Sequence, residues 1–398
     1  MKLNRQIALL IILNVAITCE LPGQLPGPDH VQQTTPDERR TQTDRMVLAN
    51  DVSTSNRKTF LPIVFGADTK FASAASKVVG NYAPGSIERK PSAIAKAANA
   101  FIGTLDDKQR EKLLHKLDSP ERVKWTNLPV RPNAGGIRLG ELNDEQVQAA
   151  LSLLAHTLSD QGYEKMRLIM LADDQLLRNG RARPGFGAEN FAFVIFGTPS
   201  ETELWSLQFD GHHVGVNIAF TGDELTIAPS FIGTQPVNYE LGGRKVAPMD
   251  AEVEQAFKLV NLLSEEQFKE ALLGNRRGQI RTGPGKDDFE MKPEGIACSK
   301  LDESQLSVVK ELVNAWVGNM PKRQAEKRMD EIAQEIKDGK MYFSWNGPRA
   351  EGSDVSYTIQ SDSVLIEFAY QNLGGNPLQH LHTQFRNPKN DYGKSFGK

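Results

Sequence analysis

The chain is poor in cysteine: two in 398 residues, Cys19 and Cys298. Cys19 closes an apolar stretch near the start, so removal of a leader would leave Cys298 alone and exclude a disulfide framework. Stability must then come from a hydrophobic core, which a chain of this length can supply. An excess of one charge is also missing. Lys and Arg number 47 against 50 Asp and Glu, a net charge of −3, with both signs spread along the chain. Nothing in that balance calls for nucleic acid or an acidic membrane surface as a partner. No H-E-x-x-H, Walker A or dinucleotide fingerprint is present. Gly393-Lys394-Ser395-Phe396-Gly397 matches a nucleophile elbow in letters only, because no helix follows it.

The first residues read as an export signal. Lys2 and Arg5 precede an apolar stretch over 7–18, broken only by Asn14 and too short to cross a membrane. The expected division is a signal peptide over 1–19, a polar linker over 20–57 and a single domain over 58–398. Simple cleavage near Cys19 is preferred over lipidation there, because Thr18 stands where lipoprotein signals want a small residue. Lipidation would be the one route to a membrane. The product is then periplasmic or extracellular.

One local pattern occurs four times. Asp106, Asn143, Ser264 and Asp302 each follow a leucine and each precede, by three places, Gln109, Gln146, Gln267 and Gln305. This is a capping box with its hydrophobic staple. Helical periodicity follows in Val147, Leu151, Leu154 and Leu158, and again in Leu306, Val309, Leu312, Val313 and Trp316. The spacing is irregular and strands intervene, so the four are read as helix starts and not as a solenoid repeat. Further helices are expected near 250–263 and 324–337, with β regions over about 191–227 and 341–386 and a Gly/Pro-rich loop over 274–295. Strands without regular βαβ alternation predict an α+β fold with a largely antiparallel sheet, packed with the capped helices.

Four of the seven histidines fall in two clusters on those β regions, Asp210-Gly211-His212-His213 and His380-Leu381-His382. Histidine suits metal ligation and proton transfer near neutral pH. Asp210-Gly211 reads as a hairpin loop pairing Phe209 with His212, Leu207 with Val214 and Trp205 with Val216. Alternation then turns His213 to a polar face with Gln208 and Asn217, and His212 to the core with Trp205, Leu207 and Phe209. A bulge or longer loop would bring both rings to one site. In the second cluster, alternation places His380, His382, Gln384 and Arg386 on one face. Two imidazoles from one side of a strand, with His213 as third ligand, would leave a position open on a metal. The three side chains are expected to converge within about 5 Å of one point. Glu367, in an otherwise apolar strand, needs a partner and is the candidate carboxylate. Arg386, Asn390, Asp391 and Tyr392 are placed to line the same pocket. Arg276, Arg277, Arg281 and Lys286 would hold an anion or form a solvated basic loop.

Several blocks fall in a familiar order: Phe196-Gly197-Thr198-Pro199, Phe209-Asp210-Gly211-His212-His213, Pro229-Ser230-Phe231-Ile232-Gly233, Tyr342-Phe343-Ser344-Trp345-Asn346-Gly347-Pro348 and the run from His380 to Gly393. Together they resemble the domain of unknown function 3500 family over about 93–393. The resemblance implies a domain and no reaction, and it implies that His212 as well as His213 belongs to the family pattern. The residues point first to an exported metal-dependent enzyme. His213, His380 and His382, with His212 or Glu367, would hold zinc or another divalent ion, and Arg386 would steady an anionic small-molecule substrate. Hydrolysis is the default, with copper or iron oxidation open to the same ligands. The alternative is a non-catalytic protein holding a metal or small ligand. A third is an interaction domain whose histidines only brace the sheet.

Overall fold

The computed structural model describes residues 69–129, 135–180, 183–275, 278–290, 292–372 and 375–396. The leader, the linker, Arg276 and Arg277 lie outside them. In the first half of the domain, α1 (Pro91–Thr104) and α2 (Asp107–Leu113) precede α3 (Asp144–Thr157) and α4 (Asp160–Arg178). Strands β1 (Ala192–Phe196), β2 (Trp205–Gly211), β3 (Val214–Thr221) and β4 (Ser230–Thr234) follow. The second half repeats the series with α5 (Asp250–Leu262), α6 (Glu265–Ala271), α7 (Glu303–Val317) and α8 (Lys322–Lys337). It ends with β5 (Tyr342–Asn346), β6 (Ser356–Gln360), β7 (Leu365–Tyr370) and β8 (Leu381–Arg386).

The likeness of the halves extends to single hydrogen bonds. All four capping boxes form, and they form as two matched pairs. The amides of Gln109 and Gln146, 37 residues apart, bond to each other, and Gln146 Nε2 donates 2.8 Å to the Thr104 carbonyl that ends α1. The amides of Gln267 and Gln305, 38 residues apart, do the same, and Gln305 Nε2 donates 2.8 Å to the Leu262 carbonyl that ends α5. Each glutamine thus caps its own helix and satisfies the open end of another. The four starts are therefore two copies of one helical layer. A search for one constant period misses a repeat in which each unit carries two boxes.

The strands join one mixed sheet of 13 strands among the described residues, with central order β1-β2-β3-β4-β8-β7-β6-β5. Two antiparallel halves meet where β4 pairs with β8. The parallel pairs lie at the edges, Leu114–His115 with β1 and Leu272–Gly274 with β5. The fold is α+β as expected, and the sheet is mixed rather than purely antiparallel.

Pairing separates the two faces. One carries rows such as Trp345, Tyr357, Phe368, Thr383, Ile232 and Val214. The helices cover that face: the rings of Phe101 and Phe193 lie 5.9 Å apart, and those of Phe257 and Trp345 5.4 Å. The other face carries Asp210, Gly215, Phe231, Gln384 and Glu367 in one row. Loops cover it. Trp125 packs where a side chain at Gly215 would stand, Thr126 N donates to Asp210, and the 278–282 segment bonds to Ser356 and Glu367. Buried polar groups need partners, and loop backbone supplies them here.

The histidine hairpin turns later than the Asp-Gly signal predicts. Gly211 pairs with Val214 and Phe209 with Val216, so His212 and His213 themselves make the two-residue connection. Gly211 stays in the strand for a packing reason: a Cβ there would stand 2.4 Å from the Phe191 ring. Moving the turn by two residues preserves the period of two, so Trp205, Leu207 and Phe209 still share the core face with Val214 and Val216. His212 leaves that face and joins His213 in the turn, where strand alternation no longer separates them.

Candidate metal centre

The cluster forms where the two halves meet. His213 comes from the β2–β3 turn, and His380 and His382 from the start of β8. His213 has φ 70°, a left-handed conformation rare in residues with a side chain. Its N–H donates 3.0 Å to the Asn127 carbonyl, and its own carbonyl accepts from Gly233 N at 2.7 Å. His380 is extended; its N–H donates to Pro377 and its carbonyl accepts from Gln371 N at 2.8 Å. His382 pairs with Gly233.

The ring nitrogens converge. His213 Nε2 lies 2.9 Å from His380 Nε2, which lies 3.0 Å from His382 Nε2, and the three ligand atoms are all within 4.8 Å of one another. The rings are buried, His213 at 1% exposure and His382 at 7%. Burial, followed by the neighbouring histidines, pushes both His213 and His382 well below the usual imidazole range. Neutral imidazole carries one lone pair and one N–H. His380 Nε2 can make a full hydrogen bond with only one of its two neighbours. That nitrogen holds either one proton or one lone pair, so it cannot make two full hydrogen bonds, whereas one cation would accept a lone pair from each of the three rings.

His212 lies beside this trio. Its Nδ1 is 2.5 Å from Asp173 Oδ1 on α4, its ring stacks on Phe186 at 4.2 Å, and the His213 ring lies tilted at 33° with its centroid 3.7 Å away. Asp173 Oδ2 also accepts from Gly187 N at 2.6 Å, which fixes the segment carrying Phe186. Asp173, His212 and His213 form a second group whose ligand atoms lie within 4.8 Å.

Glu367 and Arg386 share the polar face but stay outside both groups. The Glu367 carboxylate accepts from Arg281 Nε at 3.0 Å and from the Thr282 N–H and hydroxyl at 2.9 and 2.6 Å. The Arg386 guanidinium is fully buried, donating to Asp287 at 2.7 Å, Asp391 at 3.0 Å and the Thr282 carbonyl at 2.8 Å. Both therefore anchor the covering loop. Arg281, read from the sequence as part of a solvated basic loop or an anion site, is held by Glu367 and Glu294. Tyr392 ties the two covering loops together, since its hydroxyl accepts from Trp125 Nε1 at 2.7 Å and donates to Asp287 at 3.1 Å.

Sequence reasoning missed three participants. Gly233 interrupts an apolar strand, which is a signal of close backbone approach. A Cβ there would stand 2.8 Å from His382 Cδ2 and 3.4 Å from His213 Cδ2. Asp173 and Phe186 carry no local signal, because only the tertiary fold brings them to the histidine turn.

Fold and site together define an α+β protein of two repeated halves with a buried histidine cluster at their junction. The chain belongs to the family described as protein of unknown function (DUF3500), whose model matches residues 88–394. No curated protein and no solved structure is detectably similar.

Proposed function

We propose that this chain is an exported metal-dependent enzyme in which His213, His380 and His382 hold one divalent cation. The observation that carries this reading is the double approach of His380 Nε2 to its neighbours, at 2.9 and 3.0 Å, since a ring nitrogen holding one proton or one lone pair cannot make two full hydrogen bonds. Three nitrogen donors suit zinc and leave a fourth position for water or substrate. Zinc in such a site supplies an activated water, so hydrolysis of a small-molecule substrate is the expected chemistry. Copper or iron on the same donors would support oxidation instead. The basic start and apolar stretch over 2–18 support export to the periplasm or the exterior.

The depth of the cluster favours a second reading, in which the ion is held without turnover. His213 is 1% exposed and His380 5%. Elemental analysis of the purified protein tests the shared premise. About one equivalent of metal is expected in the wild type, and almost none in a folded His380→Ala/His382→Ala variant. No metal under any loading condition would sink both readings. A bound ion that accepts no exogenous ligand would leave only the second.

A further inference from the structure

His213, His380 and His382 are all buried, so a small molecule that reaches their rings must first displace protein. The ladder of β3, β4 and β8 backs the cluster. The 120–128 loop lies along its edge. Trp125 sits over Gly215, Thr126 N donates 3.1 Å to Asp210, and the Asn127 carbonyl accepts from His213 N. Gly215 pairs with Phe231, whose ring meets that of His382 at 4.9 Å, so the indole stands next to the cluster.

The backbone of this loop is weakly held. Pro120–Val123 is a short 3-10 turn, and among the described residues one backbone hydrogen bond, His213 N to Asn127 O, ties 120–128 to the sheet. Val123 and Leu128 are 43% and 60% exposed and add little apolar burial. Segments of this kind open locally without global unfolding. Side chains hold the loop instead, and Tyr392 collects them. Its carbonyl accepts from Arg122 at 2.5 Å, its hydroxyl accepts from Trp125 Nε1 at 2.7 Å, and the same hydroxyl donates 3.1 Å to Asp287, which Arg386 fixes. Tyr392 has φ 56°, a left-handed conformation that a residue with a side chain keeps only where its surroundings impose it.

We propose that the 120–128 loop is a gate to the histidine cluster and that Tyr392 is its latch. Release of the Tyr392 hydroxyl frees Trp125 from Gly215, and the loop leaves with the Asn127 carbonyl that braces the His213 backbone. Ligands then enter from the polar face of the sheet. The gate concerns access to the rings and holds whatever they bind.

The test measures that access in full-length protein freed of metal with a chelator, as the rate at which diethyl pyrocarbonate acylates each histidine, followed by peptide mass. Tyr392→Phe keeps the ring and removes the hydroxyl. Trp125→Phe breaks the same latch from the loop side, and it decides the matter if Tyr392→Phe fails to fold. In either variant His213, His380 and His382 are expected to react about tenfold faster than in the wild type, the order that loss of a latching hydrogen bond or two implies. His115 and His156, partly exposed outside the cluster, should keep their rates. Unchanged rates at the cluster in a folded variant would overturn the proposal. An equal gain at His156 would overturn it too, because it would mark general loosening. A wild type that binds no metal sinks the metal reading alone, since the tenfold gain would still support the gate.

Discussion

Gly233 and His382 face each other across the strand pair that joins the two halves of the sheet. A methyl group on Gly233 would stand 2.8 Å from the His382 ring and 2.5 Å from the Leu381 carbonyl, and 3.4 Å from the His213 ring. The glycine is what lets two histidine rings from different halves share one space. Gly233→Ala must displace His382 or the backbone of β8. Metal affinity is expected to fall about 10- to 100-fold, the range seen when groups supporting a ligand are disturbed. Titration with a competing chelator measures it. An unchanged affinity would mean that the cluster does not depend on this close approach.

The centre was partly legible because the strand period is short and strict. His380, His382, Gln384 and Arg386 alternate onto one face whatever the loop geometry. The hairpin was less legible, because Gly211 answers to the Phe191 ring rather than to a turn, and only the packed structure shows that ring. The partners of Glu367 and Arg386 were hidden for another reason. Both side chains are claimed by the 280–287 segment, far away in sequence, and no local pattern announces such a bond. The helix starts were plain in the sequence, while their pairing was masked by the different loops between them.

The matched halves make a symmetric prediction. Gln146 and Gln305 are 7% and 4% exposed, and each bonds a helix-ending carbonyl and a second glutamine. Truncation to alanine removes those part-buried hydrogen bonds, each worth about 0.5–1.5 kcal/mol. Gln146→Ala and Gln305→Ala should therefore lower stability by similar amounts in urea denaturation. A large loss in one and none in the other would show that the copies carry unequal loads.

The histidines predict acid sensitivity in the metal-free protein. His213 and His382 are held well below the usual imidazole range, first by burial and then by neighbouring rings. Below about pH 6.5 the unfolded chain binds protons that the native rings refuse, so stability rises with pH there and is lost as pH falls. Each ring contributes a slope of up to about 1.4 kcal/mol per pH unit between its ordinary and depressed values. Denaturation midpoints with chelator at pH 7.5 and pH 5 measure it, and His213→Asn/His382→Asn should flatten the difference. An equal pH dependence in the double variant would place the sensitivity elsewhere.

Asp210 predicts the opposite slope. Burial pushes its carboxyl well above the usual range, only partly opposed by the hydrogen bond from Thr126 N. Oδ1 is buried without a hydrogen-bond partner among the described residues. The native state therefore keeps a proton that the unfolded chain releases above about pH 4, and stability falls as pH rises from there towards the raised native value. Asp210→Asn keeps an acceptor for Thr126 and cannot ionise. The variant should lose less stability than the wild type between pH 5 and pH 8, with the two curves separating as pH rises. Parallel curves would mean that Asp210 ionises freely in the native state, and that the loop carrying Trp125 and Thr126 opens to water.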